Sequence, residues 1–231
     1  VRAQRQREQT VRNALAGRTA LQMLQALLED AAPQVIAQPS DYDMDHAGAP
    51  RQPVTIAVHH IGPHQALPTA QAADLARHPA AAQLLAVYQA LNGAALFCTD
   101  SQDLWSAGFV FLPAQQWGTA NAEVVDWLSS VDFQDDPDAL PDWVRSAIPF
   151  GKIPGDAGYW ILPVEGPHAG TVMLSNDDVS AEEPRYPGFD TFVATLCLQP
   201  EQVLGCGGYV SYPAAGNAYN LYPVGYRSGG A

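Results

Sequence analysis

Apolar residues recur along the chain in short blocks whose spacing switches repeatedly between helical and extended. Between residues 11 and 31, Leu21, Leu24, Leu27 and Leu28 form one stripe at helical spacing, which predicts a helix. Arginines at 2, 5, 7, 12 and 18 lie mostly ahead of that stripe and read as a frayed, solvated extension. QPSDYDMDHAGAPRQP (38–53) shows little periodicity and, with prolines at 33, 39, 50 and 53, reads as a loop. VTIAVHHIG (54–62) is β-branched and apolar, hence a strand. A helical region follows from Thr69 and restarts at Pro79, a residue suited to a first helical turn. Its apolar face is Leu84, Leu85, Tyr88 and Leu91, and Asn92-Gly93 ends it with residues that tolerate a left-handed cap.

Farther on, AALF (94–97) and GFVFLP (108–113) read as short strands, and 120–130 as a helix with Val124, Trp127 and Leu128 inward. DFQDDPDALPD (132–142) is an acidic loop ahead of Trp143. YWILP (159–163) and GTVMLSN (170–176), joined through EGPHAG, predict a hairpin. YPGFDTFVATLCL (186–198) places Phe189, Phe192, Val193 and Leu196 on one helical face. Runs of strands with helices at both ends predict an α+β fold with a mainly antiparallel sheet, in one domain. That domain spans 71–200, preceded by a helical and loop extension with one strand (1–70) and followed by a Gly/Tyr-rich tail (201–231). The tail is expected to pack on the domain or on a partner, its tyrosines at 209, 212, 219, 222 and 226 suiting either.

Charge narrows the function. The 231 residues carry a formal charge of −13; residues 1–51 balance six arginines against six acids, while 52–231 set five basic side chains against eighteen acids. So acidic a body repels nucleic acid and anionic membrane; the charge either serves only to keep the protein in solution, the reading favoured from charge alone, or attracts a basic partner. No apolar run is long enough to span a membrane. VRAQRQREQ is followed by no apolar stretch of the kind a secretory signal needs. Three cysteines, Cys98, Cys197 and Cys206, cannot all pair within the chain and suit free thiols in the cytoplasm.

Candidate chemistry is sparse. IPFGKIPGDAGYWILP (148–163) gathers glycines around Lys152, but Ile153 and Pro154 follow the lysine where a phosphate loop needs a hydroxyl residue opening a helix. Pro154-Gly155 instead suits a type II turn, with Asp156 bonding nearby backbone. His59, His60 and His64 invite a metal, yet neighbours on a strand face opposite ways and no acid or cysteine stands at zinc spacing. Asp41, Asp43 and Asp45 resemble the start of a calcium loop, but His46 and Gln52 occupy the places that need Gly and Glu. Cys206, among glycines, has no histidine signature to pair with, and the pair Asp177-Asp178 reads as a turn. Trp105, Trp117, Trp127, Trp143 and Trp160 read as core. No catalytic residue, metal site or cofactor is expected.

Four stretches in one order carry a family resemblance. LLAVYQALNGAALF (84–97) is similar to the helix-to-strand passage of the SUKH superfamily, and PFGKIPGDAGYWILPV (149–164) to the turn entering its central hairpin. GTVMLSNDD (170–178) resembles the hairpin's second strand with an acidic end, and YPGFDTFVATL (186–196) the closing Phe-x-x-Phe helix. The resemblance spans about residues 75–200 and leaves 1–70, the acidic stretch and the tail unassigned. It implies a non-enzymatic immunity protein that binds and neutralises a cognate bacterial toxin, often a nuclease in such systems, or else a regulatory scaffold or adaptor of the same fold. Ten arginines against one lysine fit a GC-rich bacterial genome and the immunity branch. On this reading Asp132, Asp135, Asp136, Asp138 and Asp142, with Asp177 and Asp178, would meet the basic groups of the toxin.

Overall fold

The computed structural model describes residues 2–46, 48–63, 65–99, 108–131, 135, 140–176, 179, 183–205, 210–213 and 219–229. The N-terminal part comprises α1 (Arg2–Gly17), α2 (Ala20–Leu28), β1 (Gln34–Pro39), α3 (Asp41–Met44), β2 (Val54–Ala57) and β3 (His59–Ile61). Next come α4 (Thr69–Leu75), α5 (Ala82–Ala90), β4 (Ala94–Cys98), β5 (Phe109–Phe111), α6 (Trp117–Val131) and α7 (Asp142–Ser146). The remainder holds β6 (Ile148–Lys152), β7 (Tyr159–Leu162), β8 (Met173–Leu174), α8 (Phe189–Leu198), α9 (Pro200–Leu204), β9 (Tyr212–Pro213) and β10 (Asn220–Arg227).

The chain is α+β, with antiparallel sheets and helices on their flanks. Short strands pair with their immediate sequence neighbours, and six of them form one meander in the order β3-β4-β5-β6-β7-β8. The expected hairpin is the pair β7 and β8, with Trp160 opposite Leu174. Phe109, Phe111, Phe150 and Trp160 from this sheet are fully buried, and Phe109, Phe150 and Trp160 meet Phe189 or Phe192 of α8 at centroid distances such as 5.0 Å for Phe150–Phe189 and 5.1 Å for Trp160–Phe192. Offset and edge-on contacts of this kind add to simple area burial. Gly151 makes room for them, since a Cβ there would stand 2.3 Å from Cζ of Phe109. The four inward residues expected of α8 are buried, and so are Ala194, Thr195 and Cys197. The reason is that α1 and α2 cover its outer side, so this helix has two buried faces.

The passage from α5 to β4 follows its local signals. Gly93 takes φ +88°, a conformation easy only for glycine. Buried Asn92 does more than end the helix: its Oδ1 accepts from Ala114 N–H (2.8 Å) while its Nδ2 donates to Ala66 O (2.9 Å) and Gln115 Oε1 (3.0 Å). The Tyr88 hydroxyl, also buried, reaches the carbonyl oxygens of Leu112 and Phe150 at 2.9 Å each, joining α5 to the residue after β5 and to the middle of β6.

Several expectations for the N-terminal region change. The helix expected over 11–31 is two helices: α1 runs back to Arg2 as a regular helix rather than a frayed extension, and α2 starts afresh behind Thr19. Thr19 and Gln22 form a reciprocal capping box, which satisfies two orphan groups and sets the break. The single strand expected at 54–62 is divided between sheets, β2 joining a four-stranded sheet of order β2-β1-β10-β9 and β3 the meander. At the crossing, Val58 is buried and its N–H bonds Pro33 O at 3.1 Å. The loop expected from residue 38 begins instead with the end of β1 and the short α3, which Ser40 caps by accepting from Asp43 N–H at 3.2 Å. β1 pairs antiparallel with β10 from Gln34↔Arg227 to Pro39↔Leu221, with one irregularity at Ile36/Ala37. β1 and β10, about 190 residues apart in sequence, thus lie side by side in one sheet.

Candidate protein-interaction face

α6 buries Trp117, Ala120, Val124 and Leu128, a stripe along one side. Trp127, expected inward, is 46% exposed, and Val131 is 45% exposed. At 100° per residue Trp127 lies roughly 65° round from the centre of the stripe, and Val124 and Leu128 take the inward places. Glu123, Asp126 and Ser130 share the solvent side with it. The other described tryptophans, Trp117, Trp143 and Trp160, are buried as expected, while Trp105 lies outside the described residues.

Glu123 is tied into the sheet. The Tyr159 hydroxyl donates to its Oε2, and Lys152 Nζ donates to the same hydroxyl oxygen at 3.2 Å while lying 4.4 Å from the ring centroid. Burial, reinforced by the Glu123 carboxylate, pushes the Tyr159 phenol well above its ordinary range, so it keeps its proton and acts as a donor. Lys152 is therefore engaged with Tyr159. The turn that follows it is the expected one: Gly155 has φ +91°, Asp156 N–H bonds Ile153 O at 3.0 Å, and Asp156 Oδ1 accepts from Gly158 N–H at 3.0 Å.

Of the acidic residues singled out, Asp135 and Asp142 are exposed, Asp142 in the first turn of α7 where a negative charge suits the helix dipole. Asp132, Asp136, Asp138, Asp177 and Asp178 lie outside the described residues. α6 has no basic residue in its last turn, and the stretch directly after it is acidic. Negative charge at a helix C-terminus is unfavourable by a few tenths of a kcal/mol per group, and a cationic partner would relieve it. The outer side of α6 thus combines the exposed indole of Trp127 with the carboxylates of Glu123 and Asp126. Sequence reasoning missed the indole because Trp127 sits on the flank of a helical stripe, where period alone does not decide burial.

A second organised site joins the two sheets. Phe97, fully buried in β4, has φ +58°, an uncommon conformation for a bulky residue. Its N–H donates to His60 Nδ1 at 3.1 Å, its carbonyl accepts from the Tyr212 hydroxyl at 3.0 Å, and its ring meets His60 and Tyr226 edge-on at 5.0 and 5.6 Å. Tyr226 in turn donates to Asp30 at 2.6 Å. His60 therefore serves as a neutral acceptor, and burial holds its pKa down to about 4, against an opposing pull from Asp30 and with a smaller push from His59. A histidine depressed in the folded state leaves full stability above its unfolded value near 6.5 and removes it as pH falls towards 4. Because the ring is partly solvated, the loss over that window is expected to be about 1–2 kcal/mol rather than the full linkage value. His60→Asn keeps an acceptor without titrating, so denaturant titrations at pH 7 and pH 4 should show a smaller acid penalty in the variant. Equal penalties would refute the assignment.

Other chemistry is limited. Burial pushes the Cys197 thiol up to about 12 and raises that of Cys98, leaving both poor nucleophiles; both are free. Cys206 and His64 lie outside the described residues. Among the described residues no group of three His, Cys, Asp or Glu could hold a metal ion, and no helix is long and apolar enough to cross a membrane. Compared with protein families, curated proteins and solved structures, the chain matches none.

Proposed function

We propose that this protein is a bacterial immunity protein that works in the cytoplasm, binding a cognate basic toxin and blocking it without turnover. The observation that carries the reading is the exposed Trp127 amid the carboxylates of α6 and the acidic stretch that follows. Large aromatics ringed by polar groups are the usual anchors of protein interfaces, and aspartates can stand in for the phosphates that a nuclease grips with Arg and Lys. The order of elements adds support: α5, the Asn92-Gly93 passage, the hairpin and α8 occur in the sequence of the SUKH resemblance. A net charge of −13 favours a basic partner over nucleic acid or an anionic membrane.

The test begins with capture of the tagged protein from its native cells while salt is raised stepwise. A single stoichiometric basic protein is expected, whose toxicity this protein relieves. Changing Asp132, Asp135, Asp136, Asp138 and Asp142 together to Asn should then slow association about tenfold and flatten its salt dependence. Several weak partners would point instead to the regulatory adaptor, and unchanged association in the five-fold variant would remove the phosphate-mimicry component.

A further inference from the structure

The arginines of the N-terminus are not scattered. Residues 2–18 hold five arginines and one acid, Glu8, in a chain whose overall charge is −13. α1 lies against α8, and between them runs a groove of about 540 Å³ lined by Arg7, Arg12 and Arg185. That volume falls in the range of small-molecule sites, about 300–1,000 Å³. Val11 and Leu15 supply an apolar wall. Glu8 is the one carboxylate among the lining residues.

The groove is held in register rather than merely adjacent. Gln202 donates to Gln199, whose Nε2 donates to the backbone carbonyl of Arg7 at 3.3 Å, pinning α1 to the start of α9. Among the described residues neither Arg7 nor Arg12 closes an ion pair, and both side chains are exposed. Arg7 does feel the half-buried Glu201, whose carboxyl burial pushes up and Arg7 draws back. A planar guanidinium pairs oxyanions through two parallel hydrogen bonds, and the exposed Arg7 and Arg12 along one groove select for charge above one, while Arg185 takes part in other interactions of the chain. The acidic body repels anions at long range, so only a ligand that engages both guanidiniums together would be held.

We propose that the groove between α1 and α8 is a binding site for a small organic polyanion, a phosphate ester or a polycarboxylate, with an apolar portion that rests on Val11 and Leu15. It is independent of the toxin-binding reading and can fail or stand alone.

Calorimetric titration of the full chain with phenyl phosphate, pyrophosphate and citrate at low salt tests it, with sodium chloride at matched ionic strength as the blank. At least one probe should bind saturably, and the comparison of phosphate with citrate identifies the preferred oxyanion. The double variant Arg7→Gln, Arg12→Gln should weaken that binding about tenfold or more. Arg2→Gln with Arg5→Gln removes the same charge from the same helix outside the groove and should change it less than about twofold. Thermal melts of both variants check that the fold survives. No saturable binding by any probe, or equal weakening in the two double variants, overturns the site.

Discussion

Trp127→Ala is expected, on the toxin-binding reading proposed above, to weaken the complex by about 2–4 kcal/mol, a loss of roughly 30-fold or more, while the protein itself stays folded. The argument rests on position. Nearly half of the side chain is in solvent, and its backbone neighbours Val124 and Leu128 carry the inward packing of α6. Truncation therefore removes little from the core, and the free protein should melt within a few degrees of wild type. In a complex the same indole would be fully desolvated beside Val131, with Glu123 and Asp126 at the rim. Loss of such an anchor acts on dissociation, whereas loss of the aspartates acts on encounter. Surface-capture kinetics separate the two: Trp127→Ala should raise koff with kon nearly unchanged, and the aspartate variants the reverse. Wild-type koff in Trp127→Ala would place the binding face elsewhere on the molecule.

Gly108→Ala is expected to be the most destabilising small substitution in the meander, by about 3–5 kcal/mol, or roughly 10–15 °C in Tm for a chain of this length. A Cβ at this position would stand 1.9 Å from Leu96 O, 2.7 Å from Phe97 O and 2.8 Å from Phe97 C. All three are backbone atoms, so no rotamer change relieves the overlap. Nor can the opposing strand retreat easily, because His60 holds the Phe97 N–H and Tyr212 holds its carbonyl. The substitution must therefore break the contact by which the meander meets the four-stranded sheet. Gly118→Ala is the matched control: it lies in the first turn of α6 with no atom within 4 Å of the new Cβ. It should be neutral or stabilising by a few tenths of a kcal/mol. Similar melting points for the two variants would refute the account of Gly108.

The contrast between those two glycines also separates what could be read from the chain. Stretches governed by neighbours a few residues apart were legible in advance. Pro154-Gly155 turns as its residue types require, Asn92-Gly93 closes α5, and the Phe189–Phe192 spacing makes α8 a helix facing the sheet. Thr19 with Gln22 is an equally local signal for the break between α1 and α2, and the apolar stripe that continues across it masks it. On the functional side, the carboxylate excess and the absence of a phosphate-loop pattern were plain from residue counts and order.

Four features needed the folded molecule. β1 pairs with β10 across about 190 residues of chain, which no periodicity encodes, because the hydrogen bonds are backbone to backbone and the partner is chosen by the rest of the fold. The left-handed Phe97 is imposed from outside by His60, Tyr212 and the close approach of Gly108. The exposure of Trp127 and the gathering of Arg7, Arg12 and Arg185 into one groove depend on which helix faces lie uncovered or meet. By itself the sequence determined the α+β class, the local turns and caps and the acidic character, since each follows from nearby residues or from composition. Only the tertiary structure decided how β1 and β10 pair, where the backbone is strained and which side chains face solvent together, since those outcomes are set by contacts between segments far apart along the chain.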